Sequence, residues 1–232
     1  NKFQTFLLHG VTGSGKTQVY ISLAREILAK NKTVLILVPE ISLTPQITSR
    51  FFNNFGDTVT VVHSRMSAGE RFDSWRRVLK GKSKIVIGAR SALFAPLNNI
   101  GLIVVDEEHD ASYKSADMIP KYNARDGAVV LGNIFSCPVI LGSATPSIES
   151  MFNAETGKYK LLSLPKRIDD AKLPIITFVN IAHEKNKTKS ETVFSKLLVD
   201  KIEDRLKKKE GVIILQNRRG FSTQIFCNDC GE

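Results

Sequence analysis

No apolar run in this 232-residue sequence approaches the roughly 18 residues that a bilayer-spanning helix needs, which excludes a helical membrane protein and a membrane partner of that kind. Cysteine is scarce, with 3 residues in the chain, so a disulfide scaffold is excluded. No segment repeats and none is of low complexity. The opening Asn1-Lys2-Phe3 has neither an initiator Met nor the apolar core of a signal peptide. A cytoplasmic piece from inside a longer protein is therefore expected. Acids are outnumbered, 23 Asp and Glu against 33 Lys and Arg, for a net charge of +10. Such a balance favours polyanionic partners, because neutralised phosphates release counterions, but charge alone does not decide for nucleic acid.

What is present is an alternation of short β-branched runs with helical patterns. The runs are Phe6–Leu8, Val34–Val38, Val59–Val62, Lys84–Ile87, Leu102–Val105 and Val139–Leu141. Several are apolar throughout, as strands covered on both faces of a parallel sheet must be. Helical patterns fill the gaps at Lys16–Lys30, Pro45–Phe55 and Ala68–Leu79. This order predicts an α/β fold, a parallel β-sheet flanked by helices. The boundaries expected are a first lobe over 1–165, a connector over 166–192 with a polar, Lys-rich stretch, and the start of a second lobe over 193–232. That last part pairs the stripe Leu198, Ile202 and Leu206 with a strand-like Val212–Leu215.

Gly10-Val11-Thr12-Gly13-Ser14-Gly15-Lys16-Thr17 fits the phosphate-binding pattern G-x-x-x-x-G-K-[ST], between an expected strand and an expected helix. Its glycines let backbone N–H groups curl toward phosphate oxygens beside a positive helix end. Lys16 is expected to reach the β- and γ-phosphates of ATP, and the Thr17 hydroxyl to bind Mg²⁺. The strand Leu102–Val105 runs straight into Asp106-Glu107-Glu108-His109. Asp106 is expected to hold the metal, Glu107 to orient or deprotonate the attacking water, and His109 to sense the nucleotide. By itself such an acidic turn reads as a solvated strand end. Beside the glycine loop it reads as the second half of an NTPase core.

The D-E-x-H form of that turn, together with Gly142-Ser143-Ala144-Thr145-Pro146, resembles the helicases of superfamily 2. Val38–Gln46, Gly88–Phe94, Asp106–Asp110 and Asn217–Gly220, in order after the glycine loop, resemble the primosomal replication-restart helicases within that DExH-type group. The resemblance covers nearly the whole chain. It implies a RecA-like P-loop NTPase domain plus the truncated start of a second RecA-like lobe. It implies an ATP-dependent 3′→5′ DNA helicase, acting at stalled forks to rebuild a primosome. Forked or single-stranded DNA, other primosome proteins and single-stranded DNA-binding protein are its implied partners. Ser143 and Thr145 would couple nucleotide to DNA, while Thr44, Gln46, Arg90 and Ser91 would line the DNA face. The arginine finger of such motors falls outside this chain, so the chain alone is expected to be deficient in hydrolysis. The alternative is a nucleotide- or DNA-binding fragment of another superfamily 2 translocase.

For Arg90 a structural salt bridge is the competing reading. His63-Ser64 follows a strand and is a weaker candidate for the same face. The polar segment from Tyr113 to Arg125, with Lys114, Lys121 and Tyr122, resembles a loop that couples DNA binding to hydrolysis, its tyrosines stacking on bases and its cations meeting phosphates. Trp75 reads as a core or groove residue. Cys137 lies in an apolar stretch and reads as a buried thiol. Cys227-x-x-Cys230 is open between half a zinc site, a redox pair and an accident. The resemblance favours the first two ligands of a Zn²⁺ site whose partners are not in this sequence.

Overall fold

The computed structural model describes residues 2–39, 45–63, 66–115, 119, 121–168, 174–181, 183 and 194–215. The chain divides into two compact units, Asn1–Lys172 and Leu173–Glu232.

The first unit contains β1 (Gln4–Gly10), α1 (Lys16–Ala29), β2 (Thr33–Leu37), α2 (Pro45–Phe55), β3 (Val59–Val62), α3 (Ala68–Leu79) and β4 (Ile85–Gly88), followed by β5 (Ile100–Asp106), α4 (Ala124–Ile134), β6 (Pro138–Ser143), α5 (Ile148–Glu155) and β7 (Lys160–Leu164). The strands make one 7-stranded sheet in the order β3-β4-β2-β5-β6-β1-β7. Every pairing in it is parallel. The apolar runs follow from burial on both faces. Leu7, Leu35, Val86, Ile103, Val105, Val139 and Leu141 point to one side, with Ala124 and Ala128 of α4. Leu8, Val34, Ile36, Ile87, Leu102, Val104 and Ile140 point to the other, with Tyr20, Ile21 and Ala24 of α1 and Phe51 of α2. Adjacent residues alternate between these two cores because a strand turns successive side chains to opposite faces.

Register sets the level of the strand ends. Asp106 pairs with Gly142, and His9 with Ser143, so β5, β6 and β1 finish side by side. Loops leaving these strands therefore open onto one edge of the sheet, the usual place for a ligand in open parallel sheets.

The six strands expected in the first unit and its three expected helices all form. The structure adds α4, α5 and β7, which the hydrophobic pattern hides. Helix α4 carries two glycines, poor helix formers, at 127 and 132. Helix α5 is short at 8 residues. Strand β7 is an edge strand with mostly exposed side chains and no β-branched residue.

In the second unit, α6 (Lys196–Lys207) starts on Ser195, whose side chain accepts the Leu198 N–H at 3.2 Å. Val212–Leu215, strand-like in composition, joins no strand among the described residues, because it has no pairing partner there. No helix among the described residues is long and apolar enough to cross a membrane.

Truncating Ile103, fully buried in β5, to alanine is expected to cost about 2–5 kcal/mol, whereas Phe72→Ala on the exposed face of α3 should stay within about 0.5 kcal/mol. Urea unfolding of both variants checks this; equal losses would contradict the assignment of the core.

Candidate functional site

Residues 11–15 carry the chain from the end of β1 into α1. Gly13 and Gly15 take φ of 81° and 90°, the left-handed region that glycine enters without a Cβ clash. Gly15 caps α1 without a side-chain hydrogen bond, and no acid stands in the first helical turn. The first N–H groups and the positive end of the helix dipole are thus left facing the loop. Ser14 Oγ is buried and has no hydrogen-bond partner among the described residues. An orphaned hydroxyl beside the uncapped N-terminus of α1 fits a loop shaped around phosphate oxygens. Val11, Thr12 and Thr17 remain partly or fully accessible on that loop and the first helical turn.

Lys16 arches back over the loop. Its ammonium donates to the Gly10 carbonyl at 2.8 Å and stands 4.0 Å from Glu107 Oε1. The loop and the acidic turn, far apart in sequence, therefore meet in space as their residue types predict. Asp106 is buried at the end of β5 and accepts a hydrogen bond from the Tyr20 hydroxyl at 2.9 Å. Burial raises its carboxyl above the usual range, against the pull of the Tyr20 hydrogen bond; Glu107 raises it further and Lys16 lowers it. Burial and the Asp106 charge push the Tyr20 hydroxyl well up, so it stays a donor. This contact requires glycine at 142, where a Cβ would collide with the Tyr20 hydroxyl. The Tyr113 hydroxyl donates to the Asp106 carbonyl at 2.6 Å from the opposite core.

Glu107 adopts φ of 45°, uncommon for a residue with a side chain and typical of strained functional turns. That conformation splits the directions of its neighbours. His109 turns to β6, with Nδ1 2.8 Å from Ser143 Oγ, and Nε2 3.4 Å from Thr145 Oγ1. The Thr145 N–H also donates to Ser143 Oγ at 3.0 Å. Both expected coupling residues thus meet His109.

Glu108 turns inward. Its Oε1 accepts the Ser147 N–H at 2.7 Å, while Oε2 accepts Arg125 Nη1 at 3.2 Å, Ser147 Oγ at 3.0 Å and Ser150 Oγ at 2.7 Å. Sequence reasoning assigned Glu108 no role. Its signal was present only as one more acid in the turn.

Two expectations about the segment 113–125 are corrected. Tyr113 is buried under β5 and is no base platform, since its ring fills the core and its hydroxyl is used. Arg125 is no surface cation either: it is buried against Glu108 and also donates to Asp126 at 2.9 Å. Lys114 and Lys121 stay exposed. Arg90 makes no ion pair among the described residues; its Nη1 donates to the Lys114 carbonyl at 2.8 Å and its guanidinium lies 5.8 Å above the Tyr122 ring. Ser91 is exposed beside a shallow groove also lined by Val62, Arg71 and the half-exposed Trp75. Segment 166–168, read as the start of a connector, is bonded to the glycine loop through the Ile168 N–H and the Gly13 carbonyl at 3.1 Å.

Thr44, Ser64, the side chain of Gln46, Asn217–Gly220, Cys227 and Cys230 lie outside the described residues. Among the described residues no cluster of three or more His, Cys, Asp or Glu is arranged to hold a metal. Cys137 is buried, and burial pushes its thiol up to about 11, so it is an unreactive core residue.

The raised Asp106 carboxyl means that the fold favours its neutral form, so stability is lost as pH rises through the folded pKa. Asp106→Asn should therefore melt higher than the native chain at neutral pH, by about 2–4 °C for each kcal/mol recovered, and the gain should vanish below about pH 3.9. Calorimetry across that range checks the sign; a destabilised Asn variant at neutral pH would contradict it.

A family model described as type III restriction enzyme, res subunit, matches residues 1–148. Replication restart protein PriA of Bacillus subtilis (strain 168) is 45% identical over 231 residues, 100% of this chain and 28% of the relative. The PriA of Chlamydia muridarum is 46% identical over 229 residues, 99% of this chain and 30% of the relative. The chain thus spans less than a third of these relatives' length. Among solved structures, the helicase domain of Pyrococcus furiosus Hef superposes with a TM-score of 0.50 at 21% identity, covering 72% of this chain and 36% of that one. A hypothetical ATP-dependent RNA helicase from Sulfolobus tokodaii gives 0.51 at 19% identity, covering 69% and 48%. At those identities the likeness speaks for the RecA-like α/β fold alone. By its match over residues 1–148 the chain belongs to the type III restriction enzyme res subunit family, and along its whole length it is similar to the replication restart protein PriA.

Proposed function

We propose that this chain is the ATP-binding lobe, with the start of a second lobe, of an ATP-dependent DNA helicase of replication restart. The observation that carries the proposal is the meeting of Lys16 with Glu107 beside the buried Asp106. A phosphate loop and an acidic strand end at one sheet edge are the two halves of an NTPase site. The similarity to PriA along the whole chain supports replication restart over a restriction-type translocase, which the family's description raises.

In this reading the N–H groups of residues 13 and 15–17 and the Lys16 ammonium bind the phosphates of ATP, Lys16 exchanging the Gly10 carbonyl for an anion. The Thr17 hydroxyl and Asp106 would hold Mg²⁺, which would supply charge neutralisation at the phosphates. A cation there offsets the desolvation of Asp106, whose ionised form the bare site disfavours. Glu107 accepts a proton from the water that attacks the γ-phosphate. His109, on Ser143 and Thr145, reports the state of that site to the loops beyond β6. Arg90 and Ser91, with Thr44 and Gln46, are assigned to the DNA strand.

The proposal for the longer protein extends to 3′→5′ movement, forked DNA, primosome proteins and single-stranded DNA-binding protein as partners, and Zn²⁺ at a site begun by Cys227 and Cys230. Alone, this chain is proposed to hydrolyse ATP slowly, because an arginine finger from a second lobe contributes about 10³–10⁵ in rate.

Lys16→Ala should weaken nucleotide binding about 10- to 100-fold, the worth of one charge-assisted contact. Titration with a fluorescent nucleotide checks it, and unchanged affinity would sink the site assignment. ATP hydrolysis by the chain and by the longer protein, with and without forked DNA, tests the motor reading. DNA-stimulated turnover confined to the longer protein is expected; brisk, DNA-indifferent turnover by the chain alone would refute it.

A further inference from the structure

Within the acidic turn, Glu107 and His109 face the glycine loop and β6, whereas every side-chain partner of Glu108 among the described residues lies at α4 or α5. Those partners belong to the N-terminus of α4 and to the start of α5. Three consecutive residues of one turn cannot shift independently, so whatever holds Glu108 also sets Glu107 and His109. Ser147 and Ser150 are neutral, and they lie just past the loop that carries Ser143 and Thr145. The acidic turn and that loop are thus fastened twice, by His109 above and by Glu108 below.

Arg125 is the one charged partner, and it attaches a third element. It is the second residue of α4, immediately after a segment whose ends are paired, Lys114 bridging to Asn123 and the Ser115 N–H donating to the Tyr122 carbonyl at 2.8 Å. Arg90 grips that segment at the Lys114 carbonyl and the Tyr122 ring. A continuous path of named contacts therefore runs from Arg90 through the paired segment to Arg125, Glu108 and the turn. Among the described residues neither side chain is hydrogen-bonded to the glycine loop.

We propose that Arg125 and Glu108 are a positioning pair. They hold the acidic turn in the geometry in which Glu107 and His109 act, and they make that geometry follow the start of α4. A nucleic-acid strand engaging Arg90 would reach the hydrolytic turn by this route. The inference rests on the motor reading above, since it assigns the pair to that site's turnover.

Removing either partner outright leaves a buried charge uncompensated, so alanine variants fail for reasons of folding. Arg125→Lys keeps the charge but loses the planar guanidinium, whose Nη1 serves Glu108 and Ser147 while its Nε serves Asp126. Ser150→Ala removes one donor to Glu108 and leaves the ion pair. In the longer protein, both variants should keep the nucleotide Kd and the KM for ATP, and Arg125→Lys should lose about 10- to 100-fold in DNA-stimulated kcat. Ser150→Ala should show a smaller loss of the same kind. In this chain, the His109 imidazole NMR signals should shift in Arg125→Lys while the melting curve stays cooperative. Loss of kcat merely in proportion to the folded fraction would overturn the proposal, as would a raised KM with intact kcat or unshifted His109 signals. If the native protein shows no DNA-stimulated turnover, the motor reading falls instead, and the His109 signals alone decide whether the pair sets the turn.

Discussion

The parallel register of β5, β6 and β1 is the constraint on which the site depends. Because Asp106 lies level with Gly142, and His9 with Ser143, three loops of unrelated sequence leave the sheet at one height. One carries the glycine turn, one the acids, one Ser143 and Thr145. A slip of one residue along β5 would send Asp106 to the opposite face, since side chains alternate. It would also move the alternating sets Leu102/Val104 and Ile103/Val105 into the wrong cores. The hydrophobic effect that orders the strand thus also aims the carboxylate.

The site couples two kinds of tension to that frame. Asp106 is a carboxyl held desolvated, and Glu107 occupies a backbone conformation that side chains resist. Both are held by neighbours that are themselves satisfied. Tyr20 donates from one core and Tyr113 from the other, so the end of β5 is gripped from both faces of the sheet. The acidic turn is secured through Glu108, whose two oxygens take four hydrogen bonds.

Much of this was legible in residue order, and the illegible part has a common cause. The central strands announce themselves because residues such as Val34–Leu37 are apolar on both faces, a pattern set by the strand's own burial. The glycine loop is legible because a positive φ and a close phosphate demand particular residues at particular spacings. Arg125 and Tyr113 escape the sequence pattern because a charge is exposed by default and a tyrosine lies as readily in as out, so only a partner distant in sequence decides. For Arg125 that partner is Glu108, which in turn looked like any solvated acid at a strand end. Strand β7 was hidden because, at the edge, its exposed face imposes no pattern.

The clash between Tyr20 and any side chain at 142 has a further consequence. The two positions, on α1 and β6, are chemically one unit: a hydroxyl at the tip of one occupies the space that the other leaves empty. Exchange of Gly142 for alanine requires the tyrosine to withdraw, and its withdrawal strips Asp106 of its donor. Exchange of Tyr20 for phenylalanine keeps the fit but leaves the carboxylate bare. A change at either position therefore reaches the acid through the same hydroxyl, by displacing it in one case and deleting it in the other.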